Sequence, residues 1–205
     1  MFANRYEAGL LLREKLQGEH FTNPLVIGVP RGGIVVAAPL AELMASPLKV
    51  IASKKIGLPY NEEVAMGAIT PGGEAVVDWA LARRAGLTDS QVEGAISKSR
   101  SNWQLKKEKY QPWWAEVVTG RQVILVDDGI ATGYTIKVII NYLKGLDLDQ
   151  LWLVIPVLPE EKLEEFLPLV DNLVYLKAPS DFYAVGQFYQ DFSQVEDEEV
   201  RRYLF

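Results

Sequence analysis

Four short runs of nearly unbroken aliphatic residues constrain the fold of this chain more than any other feature. They are Leu25–Val29, Leu48–Ala52, Gln122–Val126 and Leu151–Val157, each bounded by Pro, Gly or charge. A strand with one wet face alternates apolar and polar side chains, whereas a strand covered on both faces does not. The runs therefore read as strands of a mainly parallel sheet. Leu173–Leu176 is a weaker fifth candidate. Parallel neighbours need crossover connections, and helical patterns supply them at Ile34–Met44, Thr135–Lys144 and Glu160–Leu169, with Tyr6–Leu16 ahead of the first strand. Pro159 and the acidic pair Glu160-Glu161 suit the start of the last crossover helix, where the dipole favours negative charge. The fold class expected is α/β, a doubly wound sheet.

One stretch breaks the alternation. Ala65–Thr70, Pro71-Gly72-Gly73 and Glu74–Trp79 read as a hairpin, and Thr88–Lys109 as a long polar helix. Residues from about 62 to 114 are taken as an insertion on one domain spanning 1–205, and 178–205 as a small C-terminal hood. The chain has 205 residues with 49% hydrophobic and 23% charged, enough for one sizeable core and far from a disordered composition.

Composition also removes several chemistries. There is no cysteine, so disulfides, thiolate metal sites and a Cys nucleophile are excluded. His20 is the single histidine and lies in a polar connector, which excludes a His-dependent triad and a multi-histidine metal site. The net charge of −6 argues against a nucleic-acid partner. Trp103, Trp113 and Trp114 flank the basic stretch Lys106-Lys107-Glu108-Lys109, which reads as a solvated helix packing a Trp inward. Charged residues interrupt the first sixteen positions and no segment is long and apolar enough to span a bilayer, so a soluble cytoplasmic protein with no membrane partner is expected.

The chemistry concentrates in one string. Gln122–Val126 runs into Asp127-Asp128, then Gly129-Ile130-Ala131-Thr132-Gly133-Tyr134-Thr135, then a helix. A strand end delivers two carboxylates to the edge where open α/β sheets bind ligands. The loop offers backbone N–H groups, Thr132 and Thr135 offer hydroxyls, and the helix adds its positive end, which together make a phosphate cradle. The carboxylate pair can accept hydrogen bonds from a vicinal diol. Read as capping residues alone, the Asp and Thr would be ordinary; the full string in its strand-to-helix context asks for more.

That string, Val123 to Thr135, resembles the phosphoribosyl pyrophosphate (PRPP) motif of the type I phosphoribosyltransferases. The resemblance extends to Ile27-Gly-Val-Pro-Arg-Gly-Gly33, where the family places its pyrophosphate loop, and to Lys54-Lys55-Ile56-Gly57, where a cation near the pyrophosphate is expected. With Met66-Gly-Ala and Asp181-Phe-Tyr-Ala-Val-Gly186 it covers most of the chain and is closest to a bacterial subgroup with no settled base. Gly129 departs from the aliphatic residue many members carry there.

The resemblance implies an enzyme, a Mg²⁺-dependent pentosyltransferase of base salvage. It would move ribose 5-phosphate from PRPP to a small nitrogenous base and release pyrophosphate. It further implies Ala131, Thr132, Gly133, Tyr134 and Thr135 on the 5-phosphate, and Arg31, Gly32, Gly33, Lys54 and Lys55 on the pyrophosphate. Asp127 and Asp128 would hold ribose hydroxyls and, through water, the metal. Arg31 and Lys55 join the acidic pair as catalytic groups that balance charge in an oxocarbenium-like transition state. Phe182 and Tyr183 in the aromatic tail are candidates for stacking the base, the hairpin for a water-excluding loop, and a homodimer is expected. Hypoxanthine- and guanine-using members carry Asp where this chain has Ala131, which disfavours those bases. Two other readings stay open: a PRPP- or nucleotide-binding regulator without turnover, and a transferase or hydrolase acting on another phosphoribosyl compound.

Overall fold

The computed structural model of the protein describes residues 1–110 and 118–204, with only the backbone of Glu63. Trp113, Trp114 and the end of the expected insertion lie outside the described residues, as does Phe205, the last residue of the expected hood. The chain divides into two compact units. One comprises Met1–Ile51, Trp113–Gly133 and Leu143–Phe205, the other Ala52–Pro112 and Tyr134–Tyr142, each over its described residues. No described helix is long and apolar enough to cross a membrane.

The first unit is built on a five-stranded sheet. Its strands are β1 (Pro24–Gly28), β2 (Leu48–Val50), β6 (Gln122–Val126), β7 (Gln150–Val157) and β8 (Asn172–Lys177), in the spatial order β2-β1-β6-β7-β8. Every neighbouring pair is parallel. The unbroken apolar runs have the cause inferred for them: Val26, Ile124 and Val154 are buried on one face, and Ile27, Leu125 and Leu153, on the other face, are buried as completely. On the first face the sheet meets α1 (Arg5–Lys15) and α2 (Gly32–Leu43), whose Leu12, Val36 and Leu40, with Leu16 at the end of α1, share a core cluster with Val26, Ile124, Trp152 and Val154. Helix α1 starts sharply because the Asn4 side chain accepts the Glu7 N–H at 2.9 Å while the Glu7 carboxylate accepts the Ala3 N–H. A short helix, α7 (Asp197–Leu204), lies near α2 and β2.

The second unit has its own antiparallel sheet, β3 (Lys54–Leu58), β4 (Asn61–Ile69) and β5 (Ala75–Val77), in the order β3-β4-β5. The expected hairpin is β4–β5, closed by the Thr70 N–H on the Glu74 carbonyl at 2.8 Å. Helices α3 (Trp79–Arg84) and α4 (Asp89–Tyr110) cover it around Ile56, Met66, Ile69, Val92, Ile96 and Trp103. Trp103 is a core residue, 7% exposed, and its indole N–H donates to the Ala52 carbonyl. Helix α5 (Tyr134–Lys144) belongs mostly to this unit, where its Tyr142 ring lies against Gly72 at the hairpin turn.

Three expectations change. The second strand stops at Val50, and Lys54–Leu58 is a strand of the other sheet; its inward residues, Ile56 and Leu58, alternate over too short a span to announce themselves. The helix expected over Glu160–Leu169 is broken into two 3₁₀ turns, Glu160–Lys162 and Leu167–Leu169, around α6 (Leu163–Phe166). Pro168 has no N–H to continue the ladder. Helix α3 was not expected: it is six residues long, too short for a period, and begins on the Asp78 side chain, which accepts the Leu81 N–H at 2.8 Å.

Candidate functional site

The site grows from the pairing of β1 with β6. Because the two strands are parallel and in register to Gly28 and Val126, their carboxyl ends deliver the 29–33 turn and the Asp127–Gly133 loop to one edge of the sheet. The Val29 N–H still donates to the Val126 carbonyl at 2.9 Å, so the turn leaves the sheet only after both strands end. The Pro30–Arg31 peptide bond is cis, and α2 begins at Gly32. There the backbone touches the acidic pair. A Cβ on Gly32 would lie on the Asp128 carboxylate, and one on Gly33 would come within 2.8 Å of the Asp127 Cα. Only glycine permits that approach.

Each carboxylate is held. Asp127 Oδ1 accepts the Asp128 N–H at 2.9 Å. Asp128 Oδ2 accepts from Arg5 Nε at 2.7 Å, and its backbone carbonyl accepts the Tyr189 hydroxyl at 2.6 Å. Burial pushes the Asp127 carboxyl well above the usual range, and the neighbouring Asp128 charge adds to it. Burial also raises Asp128, against the pull of Arg5. Both effects follow first from holding a carboxylate where water is scarce; the like charge adds to it at Asp127 alone. The Tyr189 hydroxyl is raised for the same first reason, with Asp128 contributing.

Beyond the pair the loop opens. The Ile130 N–H is tied to the Val157 carbonyl at 2.9 Å. Ala131 and Thr132 are then exposed. Gly133 sits at φ 75° and hands the chain to α5 at Tyr134, a left-handed turn that glycine takes without cost. Tyr134 and Thr135 are half-buried. An exposed loop feeding an eleven-residue helix can direct backbone N–H groups at an anion.

The other residues singled out from the sequence fall as follows. Arg31 is half-buried and 3.8 Å from Glu196. Lys54 and Lys55 lie in the second unit, where with Gly57, Glu62, Gln91 and Lys98 they line a cleft of about 510 Å³. Phe182 packs on Phe188 with ring centroids 5.2 Å apart, in a cluster with Phe2, Ala8, Val157 and Tyr189. Tyr183 is 85% exposed. His20 is exposed.

Arg5, Tyr189 and Phe192 were not singled out, yet they surround Asp128. Arg5 also donates to the Ser193 carbonyl at 2.8 Å and stacks 3.8 Å from the centre of the Phe192 ring. One signal was available. Arg5 is the first residue of α1, where a cation opposes the helix dipole, so a partner elsewhere was called for.

The Phosphoribosyl transferase domain family matches residues 7–191. Proteins from two Mycobacterium tuberculosis strains, provisionally designated phosphoribosyl transferases, are each 33% identical over all 205 residues. The chain spans about half the length of these relatives, 46%. The crystal structure of TT1426 from Thermus thermophilus is 35% identical with a TM-score of 0.82, covering 99% of this chain and 97% of that one. A strand-end acidic pair beside two glycines, carried on a parallel α/β sheet and matched by a family over most of the chain, leaves one assignment: the chain belongs to the phosphoribosyltransferase family.

Proposed function

We propose that the protein transfers ribose 5-phosphate from PRPP to a small nitrogenous base and releases pyrophosphate. The observation that carries this reading is the meeting of Gly32 and Gly33 with Asp127 and Asp128 at the ends of β1 and β6. Such an edge can place a diphosphate and a ribose side by side. The 5-phosphate is assigned to Ala131, Thr132, Gly133, Tyr134 and Thr135. The diphosphate is assigned to Arg31, Gly32 and Gly33, with Lys54 and Lys55 as cations, and the ribose hydroxyls to Asp127 and Asp128.

The acidic pair also fits Mg²⁺. Hard oxygen donors at one or two carboxylates are what this ion takes when phosphate oxygens and water complete its shell. Bound there, it would neutralise the leaving diphosphate. The protein's own residues do the rest. The carboxylates favour positive charge developing at the ribose ring, and the guanidinium and backbone N–H groups of 31–33 receive the negative charge of the departing diphosphate. Ala131 supplies no carboxylate for the base nitrogen, so the acceptor is a base that needs none or draws it from elsewhere. The C-terminal tail is proposed as the base cover, with Phe182 and Tyr183 as its stacking rings; Tyr183 is exposed enough to receive a base without unpacking the core.

The test is incubation with PRPP, Mg²⁺ and a panel of purine and pyrimidine bases. Base-dependent release of pyrophosphate is expected. PRPP binding without turnover on any base would favour the regulator reading, which the absent carboxylate at Ala131 makes reasonable. No PRPP binding at all would overturn both.

A further inference from the structure

We propose that Arg5 is a positioning residue for Asp128, and that the C-terminal tail exists in part to hold Arg5 in place. The inference rests on the reading that PRPP binds at the acidic pair. Three contacts fix the guanidinium: Asp128 Oδ2 at 2.7 Å, the Ser193 carbonyl at 2.8 Å and the Phe192 ring at 3.8 Å. The side chain is 11% exposed and that of Asp128 17%. A surface arginine does not look like this; it keeps its head in water.

The clamp is anchored by backbone hydrogen bonds. The Phe2 N–H donates to the Phe188 carbonyl at 2.7 Å, the Gln190 N–H to the Phe2 carbonyl at 2.8 Å, and the Asp191 N–H to the Ala3 carbonyl at 2.9 Å. These bonds join the start of the chain to the tail two residues before Arg5 and immediately before Phe192. Tyr189 adds a second tether from the tail to the Asp128 carbonyl. Backbone and side chain of Asp128 are thus both restrained from one direction, by segments that are themselves cross-linked. Such a frame is a support, not a gate.

The chemical need is specific. A carboxylate that must meet a vicinal diol has to present an oxygen at a set angle, and a free Asp rotates about two bonds. Bonding Oδ2 to Arg5 removes that freedom and leaves the carboxyl group pointing one way. Arg5 also offsets one charge of the adjoining acidic pair. Lysine could supply the charge but neither the fixed fork nor the flat face that Phe192 covers.

Calorimetric titration of Mg²⁺ and PRPP into the full chain tests this, with melting curves to verify folding. Arg5→Ala is expected to weaken PRPP binding about tenfold or more, the scale of losing a charge-assisted hydrogen bond. Arg5→Lys should recover part of the loss. The Arg5→Ala/Asp128→Asn double variant should bind no worse than Asp128→Asn alone, because Arg5 acts only through Asp128. Phe192→Ala, a surface change that leaves the ion pair intact, should weaken binding roughly two- to fivefold, with no further loss when added to Arg5→Ala. If wild type binds PRPP and Arg5→Ala binds equally well, or its loss adds fully to that of Asp128→Asn, the positioning role is wrong while the functional reading stands. If wild type binds no PRPP, both fall together.

Discussion

Asp128 and Glu62 each hold a cation at short range, yet they respond in opposite directions. Asp128 is 2.7 Å from Arg5, and its carboxyl is raised above the ordinary value because burial outweighs the cation. Glu62 is 2.6 Å from Lys98, and its carboxyl is lowered, chiefly by that hydrogen bond. Distance does not separate them; water does. The side chains of the first pair are 11% and 17% exposed, those of the second 67% and 72%. A buried pair costs desolvation that its attraction repays only while both partners stay. An exposed pair costs little and contributes little. The first unit therefore holds its charges in a fixed frame. The cleft of the second unit carries Lys54, Lys55 and Lys98 in its lining, the last of them in an ion pair with Glu62 that water reaches.

The largest effect expected from this difference is at Arg5. Arg5→Met should lower unfolding free energy by about 3 kcal/mol at neutral pH, the low end for breaking a buried pair, since the stranded carboxyl can take up a proton. Urea unfolding measures it, and a loss no larger than that of Lys98→Met would erase the contrast. Next comes Gly32→Ala. Its Cβ would occupy the place of the Asp128 carboxylate, and overpacking of this kind costs about 1–3 kcal/mol. PRPP affinity should fall with stability, because the carboxylate must move to make room.

Asp127→Asn should act in the other direction. Burial raises the Asp127 carboxyl well above its ordinary value. Between the unfolded and folded values the native carboxyl keeps a proton that the unfolded chain has released, so wild-type stability falls as pH rises through that window. Asn keeps the acceptor for the Asp128 N–H and never ionises. The variant should melt about 2–4 °C higher at pH 7, the shift that ~1 kcal/mol brings in a chain of this size. That gap should close as pH falls toward the unfolded carboxylate's value. A variant that melts lower at pH 7 would show that the pair stabilises the fold rather than serving the ligand at its expense.

The sheet and the acidic loop were legible because each is written in consecutive residues: Leu25–Val29 and Gln122–Val126 as runs, Asp127–Thr135 as a string. What the sequence hid is long-range. Arg5 reaches Asp128 across 123 positions and Ser193 across 188, and Tyr189 reaches the Asp128 carbonyl across 61. No local pattern carries such contacts. The tail read as aromatic, but which ring does what depends on packing: Phe182 goes inward against Phe188, Tyr183 outward, and Phe192 over a guanidinium. Lys54 and Lys55 are expected as cations following the second strand; they are residues of a strand of their own, because Ile56 and Leu58 are buried in the core of the second unit.

The smallest effect is expected at Glu62, and it tests the other half of the comparison. Glu62→Gln removes the charge that Lys98 faces but keeps the length and an acceptor. The Glu62 carboxyl is depressed when folded, so whatever the pair contributes is present above the unfolded carboxylate value and is lost as pH falls through the folded one. For side chains this exposed, that contribution is screened by water and eroded further by salt, whose Debye length falls from about 10 Å at 0.1 M to about 3 Å at 1 M. Melting curves of wild type and Glu62→Gln should therefore coincide within error at pH 7 in 1 M salt and differ barely at low salt. The same variant removes the carboxylate from a cleft lined by Lys54, Lys55 and Lys98, so it should tighten the binding of inorganic pyrophosphate while leaving stability unchanged. A stability loss approaching that of Arg5→Met would mean that exposure is not what separates the two pairs.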